Sequence, residues 1–215
     1  MTTLRHRLAT DTRYTLLGLP MAVVSFAVVV VGISAGLGTA IVFAGLPVLA
    51  ATAAMARHLA DLERVALPGV LGRPVARPPY RPAPARAGRL RRTLNPLTSG
   101  QAVMDLLYAI IGFPIALLAS ILTAVWWAGT IAGLTFPLYG WFIAALPGME
   151  ESLPRLLGLG GDAVTFVVFN TVAGVLFALT LVPVVRGAAL LKASLAQAML
   201  TRAPSGGMVT EPRFA

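Results

Sequence analysis

The chain has 215 residues, 57% hydrophobic and 12% charged, with a formal net charge of +9 and a mean hydropathy of +0.82. Soluble domains carry about 25% charged residues, so a soluble fold of this size would lack the polar surface to cover itself. The absence of cysteine excludes disulfides and thiolate metal sites.

The basic start, "MTTLRHRLATDTRY", leads into a tract with no charge between Arg13 and Arg57. A signal peptide has an apolar stretch of about 7–15 residues before its cleavage site. Here the apolar run continues well past that length, which predicts a retained span. A bilayer core of about 30 Å needs about 20 apolar helical residues, so this tract divides into spans near Leu16–Ser34 and Thr39–Met55. Residues 1–57 then form a first transmembrane hairpin. Residues 58–105 read as a loop rich in arginine and proline, with seven of each and no acid between Pro68 and Pro96. Such a segment cannot build a core and is expected to be extended. Arginines beside a membrane attract anionic lipids. Nucleic acid is not expected as a partner, because no base-stacking surface accompanies the basic residues.

A second neutral tract runs from Asp105 to Glu150 and a third from Ala163 to Val185. They place a second hairpin at 106–185, with spans near Leu106–Trp127 and Ala163–Val185. Between these spans lies an aromatic segment, 128–148. Trp126, Trp127, Tyr139 and Trp141 in and beside it fit the outer membrane–water interface, where Trp and Tyr concentrate. Residues 186–200 read as an amphipathic exit helix, free to lie on the membrane or pair with a partner's copy. Residues 201–215 read as a disordered tail. Basic residues in short loops stay on the cytoplasmic side. Four spans with both termini inside place 16 basic residues in the cytoplasm and Arg155 alone outside, whereas five spans give 13 and 4. Four spans are preferred and five stay open.

Each hairpin begins with the same phrase. "YTLLGLPMA" starts at Tyr14 and "YAIIGFPIA" at Tyr108, so Tyr14, Gly18 and Pro20 correspond to Tyr108, Gly112 and Pro114. Proline kinks a helix and glycine lets backbones approach, which predicts two kinked outbound helices, each kink packed against protein. The return helices leave alike, with Arg57 and Arg186 at the boundary as candidate signal exits. The expected fold is therefore all-α, four transmembrane helices in two tandem hairpins of one orientation. GxxxG at Gly32–Gly36 and at Gly129–Gly133 marks places where helices or protomers touch.

No catalytic constellation can be assembled. His6 and His58 are far apart and lack metal-ligand spacing. No phosphate-binding glycine loop is present, and no cofactor or metal is expected. The predicted spans hold no charge and one amide, Asn170, whereas ion-coupled carriers usually hold ionisable groups inside the bilayer. No residue identifies a ligand.

The order of "YTLLGLP", "AGLPVLAATAAMARHLADLERVALPGVLG", the Pro/Arg loop, "LLYAIIGFPIALLASIL", "LTFPLYGW" and "LVPVVRGAALLKASLAQAML" resembles the sensor domain found at the N-terminus of many actinobacterial histidine kinases. The resemblance covers about Thr12 to Leu200. It implies a signal-input module of the cell membrane, with a histidine kinase or response regulator as partner, and a homodimer is open. In that family the exit helix leads towards a kinase module. This sequence stops within 15 residues of Leu200, so no enzymatic activity is expected of it. A small transporter subunit and a structural scaffold remain the alternatives.

Overall fold

The computed structural model describes residues 4–39, 44–76, 78, 99–146 and 152–201. Among them the regular elements are helices: α1 (Leu4–Gly38), α2 (Gly45–Leu71), α3 (Gly100–Ala144), the short α4 (Leu153–Leu156) and α5 (Ala163–Leu200). Helix ends follow local chemistry. Gly72, at φ 69°, closes α2 in the left-handed conformation and donates its N–H to the Pro68 carbonyl. The Ser99 hydroxyl accepts from Ala102 N at the start of α3. Asp162 caps α5 by accepting from the Thr165 hydroxyl (2.7 Å) and backbone N–H (3.0 Å). Those two bonds hold its carboxyl below the ordinary carboxylate range. The cap is therefore present at neutral pH and lost as pH falls through the lowered value.

Three helices, α1, α3 and α5, are long and apolar enough to cross a membrane. α2 is not among them. Its apolar part ends at Ala56, and Arg57, His58, Asp61, Glu63 and Arg64 follow within the same helix. The expected four spans reduce here to three qualifying helices. The loop assigned to 58–105 is also shorter than expected, because 58–71 belongs to α2 and 100–105 to α3. Its Arg/Pro centre, apart from 78, and the expected tail beyond 201 lie outside the described residues.

α3 runs without a break through 45 residues, about 67 Å at 1.5 Å per residue. The aromatic segment expected to lie along the outer interface is, as far as Ala144, the second half of this helix. α5 is likewise continuous through Arg186 to Leu200. One face of the exit helix packs within the chain, with Ala188, Ala189, Lys192, Ala193, Ala196 and Leu200 buried, while Leu190 and Leu191 face outward.

Cross-helix pairs give the helix directions. Between α1 and α3, Thr12 meets Trp127, Thr15 meets Ser120 and Phe26 stacks on Phe113. Further along, Val29 and Ile33 of α1 share one cluster with Leu106 and Ala109 of α3. As one number rises the other falls, so α1 and α3 are antiparallel. α3 and α5 are also antiparallel, through Trp126 with Thr180 and Gly133 with Gly174. This corrects the expectation of two hairpins sharing one orientation, which needs α1 and α3 parallel. Hydropathy is blind to direction, since an apolar helix buries the same surface either way up. The steric match of particular side chains decides.

The packing is inside out relative to a soluble protein. Alanines fill the core, with Ala53, Ala56 and Ala60 on α2, Ala116 and Ala119 on α3, and Ala189 and Ala193 on α5, while Leu17, Val31, Leu138, Phe142 and Leu179 face outward. Lipid tails are as apolar as leucine, so helices gain little from hiding leucine and much from close contact. Both GxxxG motifs serve contacts within the chain. Gly32 and Gly36 receive Thr52 and Leu49 of α2, and Gly129 receives the Phe177 ring. Gly133 and Gly174 meet backbone to backbone, with no room for a Cβ on either. Gly133→Leu should lower stability by at least about 1–3 kcal/mol through overpacking. Gly187→Ala, in open space on the same hairpin, should raise it by about 0.5–1 kcal/mol. Thermal unfolding in detergent checks both.

Candidate functional site, a buried charge cluster

Six charged side chains from four helices meet in the bundle as three interhelix ion pairs, and Arg64 also pairs with Asp61 within α2. Asp11 of α1 binds Arg186 of α5 at 2.9 Å. Glu63 of α2 binds Lys192 of α5 at 2.8 Å, and Arg64 of α2 binds Asp105 of α3 at 2.5 Å. Each pair joins two different helices, and together they chain α1 to α5, α5 to α2 and α2 to α3. Five of the six residues are buried, and the Lys192 side chain is only 3% exposed. Burying a charge costs several kcal/mol unless a partner and further hydrogen bonds compensate.

Here the further bonds exist. The Tyr14 hydroxyl donates to Glu63 Oε1 at 2.5 Å, the oxygen that also accepts from Lys192. The Lys192 ammonium lies 3.9 Å from the centroid of the Tyr14 ring, a favourable cation–π position. Tyr108 packs against the apolar cluster that holds Tyr14 and lines one small cavity with Glu63. The two tyrosines of the repeated phrase therefore converge on one carboxylate, although their helices run in opposite directions. Arg64 makes more than its ion pair. It donates to Asp61 at 2.7 Å and, through Nε, to the Leu200 carbonyl at 2.8 Å. Gln101 bonds both Asp105 (3.1 Å) and the Met199 carbonyl (3.2 Å). Side chains of α2 and α3 thus hold the last turn of α5, whose carbonyls have no partner within the helix.

The glycines of the phrase make room for this cluster. A Cβ at Gly18 would overlap Lys192 Nζ, and one at Gly112 would press on the Tyr108 ring. Pro20 and Pro114 are themselves exposed. Near Pro20, Ser120 Oγ donates to the Thr15 carbonyl at 2.8 Å, supplying a hydroxyl where proline weakens the helical ladder. The expected interface aromatics divide. The Trp126 indole N–H bonds Thr180 (2.9 Å) and that of Trp127 bonds Thr12 (3.1 Å), which places both against other helices. Tyr139 and Trp141 are exposed near the end of α3. Arg186 belongs to the cluster, while Arg57 is half-buried on α2 and takes no part in these three pairs.

The family scan matches the model described as "Putative sensor" over residues 14–200. The chain belongs to this sensor family. Searches of curated proteins and of solved structures give no match. The matched stretch runs from Tyr14 to Leu200, and so holds most of the cluster.

The cluster residues Glu63, Arg64, Asp105 and Lys192 are not among the candidates that the sequence pattern suggests. A signal for them was present. Asp11 and Asp105 each stand three residues before the repeated tyrosine, extending the phrase to D-x-x-Y-x-x-x-G-x-P. Lys192, the lone lysine, stands relative to Arg186 as Glu63 stands relative to Arg57. Among the described residues no His, Cys, Asp and Glu group could hold a metal.

Lys192→Met alone, or Glu63→Gln alone, should cost about 3–5 kcal/mol by leaving a buried partner unpaired. The double variant should recover much of that loss. Denaturation of the four proteins in a double-mutant cycle measures the coupling, and strictly additive losses would place the two charges apart.

Proposed function

We propose that the chain is a signal-input module of the membrane, related to histidine kinase sensor domains and without catalytic activity of its own. One observation carries the reading: the Arg64 guanidinium touches Asp105 of α3 and the last carbonyl of α5 at once. In a family that couples a membrane domain to a following module, the end of α5 is the natural outlet. A stimulus that favours one packing of α1–α3 over another would shift that end through Arg64 and Gln101. Such a shift requires only that the stimulus bind the two packings unequally. The partner is a histidine kinase or its response regulator.

A chimera tests this. With this chain in place of the sensor portion of a histidine kinase, joined after Thr201, Arg64→Gln and Asp105→Asn should change autophosphorylation in membranes by about fivefold or more. If neither variant changes it while both remain inserted, the relay through Arg64 is wrong. A transporter is the second reading, favoured by the Glu63–Lys192 pair beside an internal cavity of ≈ 20 Å³, room for about one water. Paired ionisable groups inside a membrane bundle can mark an ion path, and saturable solute uptake into liposomes would favour it.

For orientation, the charge count of the four-span reading supports both termini in the cytoplasm, with 16 basic residues on that side. The antiparallel course of α1 and α3 supports a different count, three crossings with the termini on opposite faces. Single cysteines at Leu4, Leu159 and Thr201 distinguish them with an impermeant maleimide on intact cells. Labelling at 159 alone fits both termini inside; with α1 antiparallel to α3 and α3 to α5, labelling at 4 and 159 together, or at 201 alone, fits three crossings.

A further inference from the structure

The seam between α1 and α2 holds two adjoining hollows. One, of ≈ 230 Å³, is the more polar and lies among His6, Arg7, Thr10, Asp11 and Arg186, closed by the end of α2 at Gly72. The other, of ≈ 170 Å³, is mostly apolar and lies among Arg13, Leu17, Met21, Leu62 and Ala66, with Glu63 and Lys192 also lining it. Residues 7, 10, 14, 17 and 21 follow helical spacing, so the second hollow continues the first along one face of α1. Leu17 and Leu62, at 64% and 52% exposure, leave the apolar half open to its surroundings.

Charge and hydropathy change together along this seam. The polar end and its rim hold three arginines, Arg7, Arg13 and Arg186, against the single carboxylate of Asp11, which leaves that end net positive. In the apolar end Lys192 is neutralised by Glu63. The charged start of the chain gives way to the neutral tract at Arg13–Tyr14, which falls between the two hollows. Inserted in a bilayer, α1 therefore brings the basic hollow to the headgroup layer and the apolar one to the acyl layer.

We propose that the α1–α2 seam binds one anionic phospholipid, its phosphate against Arg7 and Arg186 and an acyl chain over Leu17, Met21 and Leu62. A zwitterionic lipid would bring its own cation against the net positive end. A free anion would leave the apolar half unfilled. The phosphate competes with Asp11 for Arg186, so binding loosens one of the three interhelix pairs. The site itself stands without the sensor reading, and only its role as the stimulus rests on that reading.

Native mass spectrometry of the delipidated full-length chain in detergent tests the site, with phosphatidylglycerol and phosphatidylcholine offered in equal amounts. One bound phosphatidylglycerol per chain is expected, favoured about tenfold over phosphatidylcholine, a difference of about 1.4 kcal/mol. Arg7→Gln should remove the preference, and Ala66→Trp or Leu17→Trp, each filling the groove from an exposed position, should remove the bound lipid. Circular dichroism and melting confirm that the variants fold. Equal retention of the two lipids, retention unaffected by both tryptophan variants, or displacement by inorganic phosphate would each overturn the proposal. A chimera that responds to Arg64→Gln while no lipid is retained would sink the lipid site and leave the sensor reading standing.

Discussion

Five buried charges and a sixth, that of Arg186, half-buried beside them, are set between helices and constrain everything else in this bundle. An unpaired ammonium or carboxylate at such depth is far costlier than leaving any single apolar side chain exposed at the surface. Asp11, Glu63 and Asp105 therefore each face a cation on another helix. Because the three pairs link α1, α5, α2 and α3 in sequence, no helix can slide along another without stranding a charge. The pairs specify register, a role for buried ion pairs that does not require them to be a large net source of stability.

The rest of the packing serves that specification. Salt bridges of under 3 Å across helices need backbones close together, and the core supplies alanine and glycine where helices touch. Gly18 shows the dependence most directly, since the Lys192 chain passes over the space where a side chain would stand. Large apolar residues point outward instead, as expected where the solvent is itself apolar. Polar side chains that remain are mostly turned onto their own backbone, as with Thr52, Thr123, Thr171 and Thr180, each bonded to the carbonyl four residues earlier.

This architecture gives the last turn of α5 an unusual position. Its terminal carbonyls are held by Arg64 and Gln101, which are themselves tied to Asp105. A change in how α2 meets α3 must be felt there, because the same guanidinium bonds to both α3 and α5. The α1–α2 seam reaches the network from the other side, through Asp11 and Arg186. The α1–α2 seam and the end of α5 are thus joined by charge pairs rather than by a continuous rigid element.

Much of this was legible in the residues. Neutral tracts of 20 residues or more dictate apolar helices, since nothing else buries their backbone in lipid. The helical exit after Arg186 and the importance of Tyr14, Gly18, Tyr108 and Gly112 also follow from pattern. Periodicity and composition are properties of one segment at a time, and the sequence by itself determined what depends on one segment: helix content, apolar faces, the repeated phrase and the sensor family. Only the tertiary structure decided that α1 opposes α3, that the tyrosines share Glu63, and that Lys192 turns inward. Those depend on the mutual fit of side chains distant in the chain, 49 residues apart for Tyr14 and Glu63 and 129 for Glu63 and Lys192, and a charge reveals its partner only when the helices have packed.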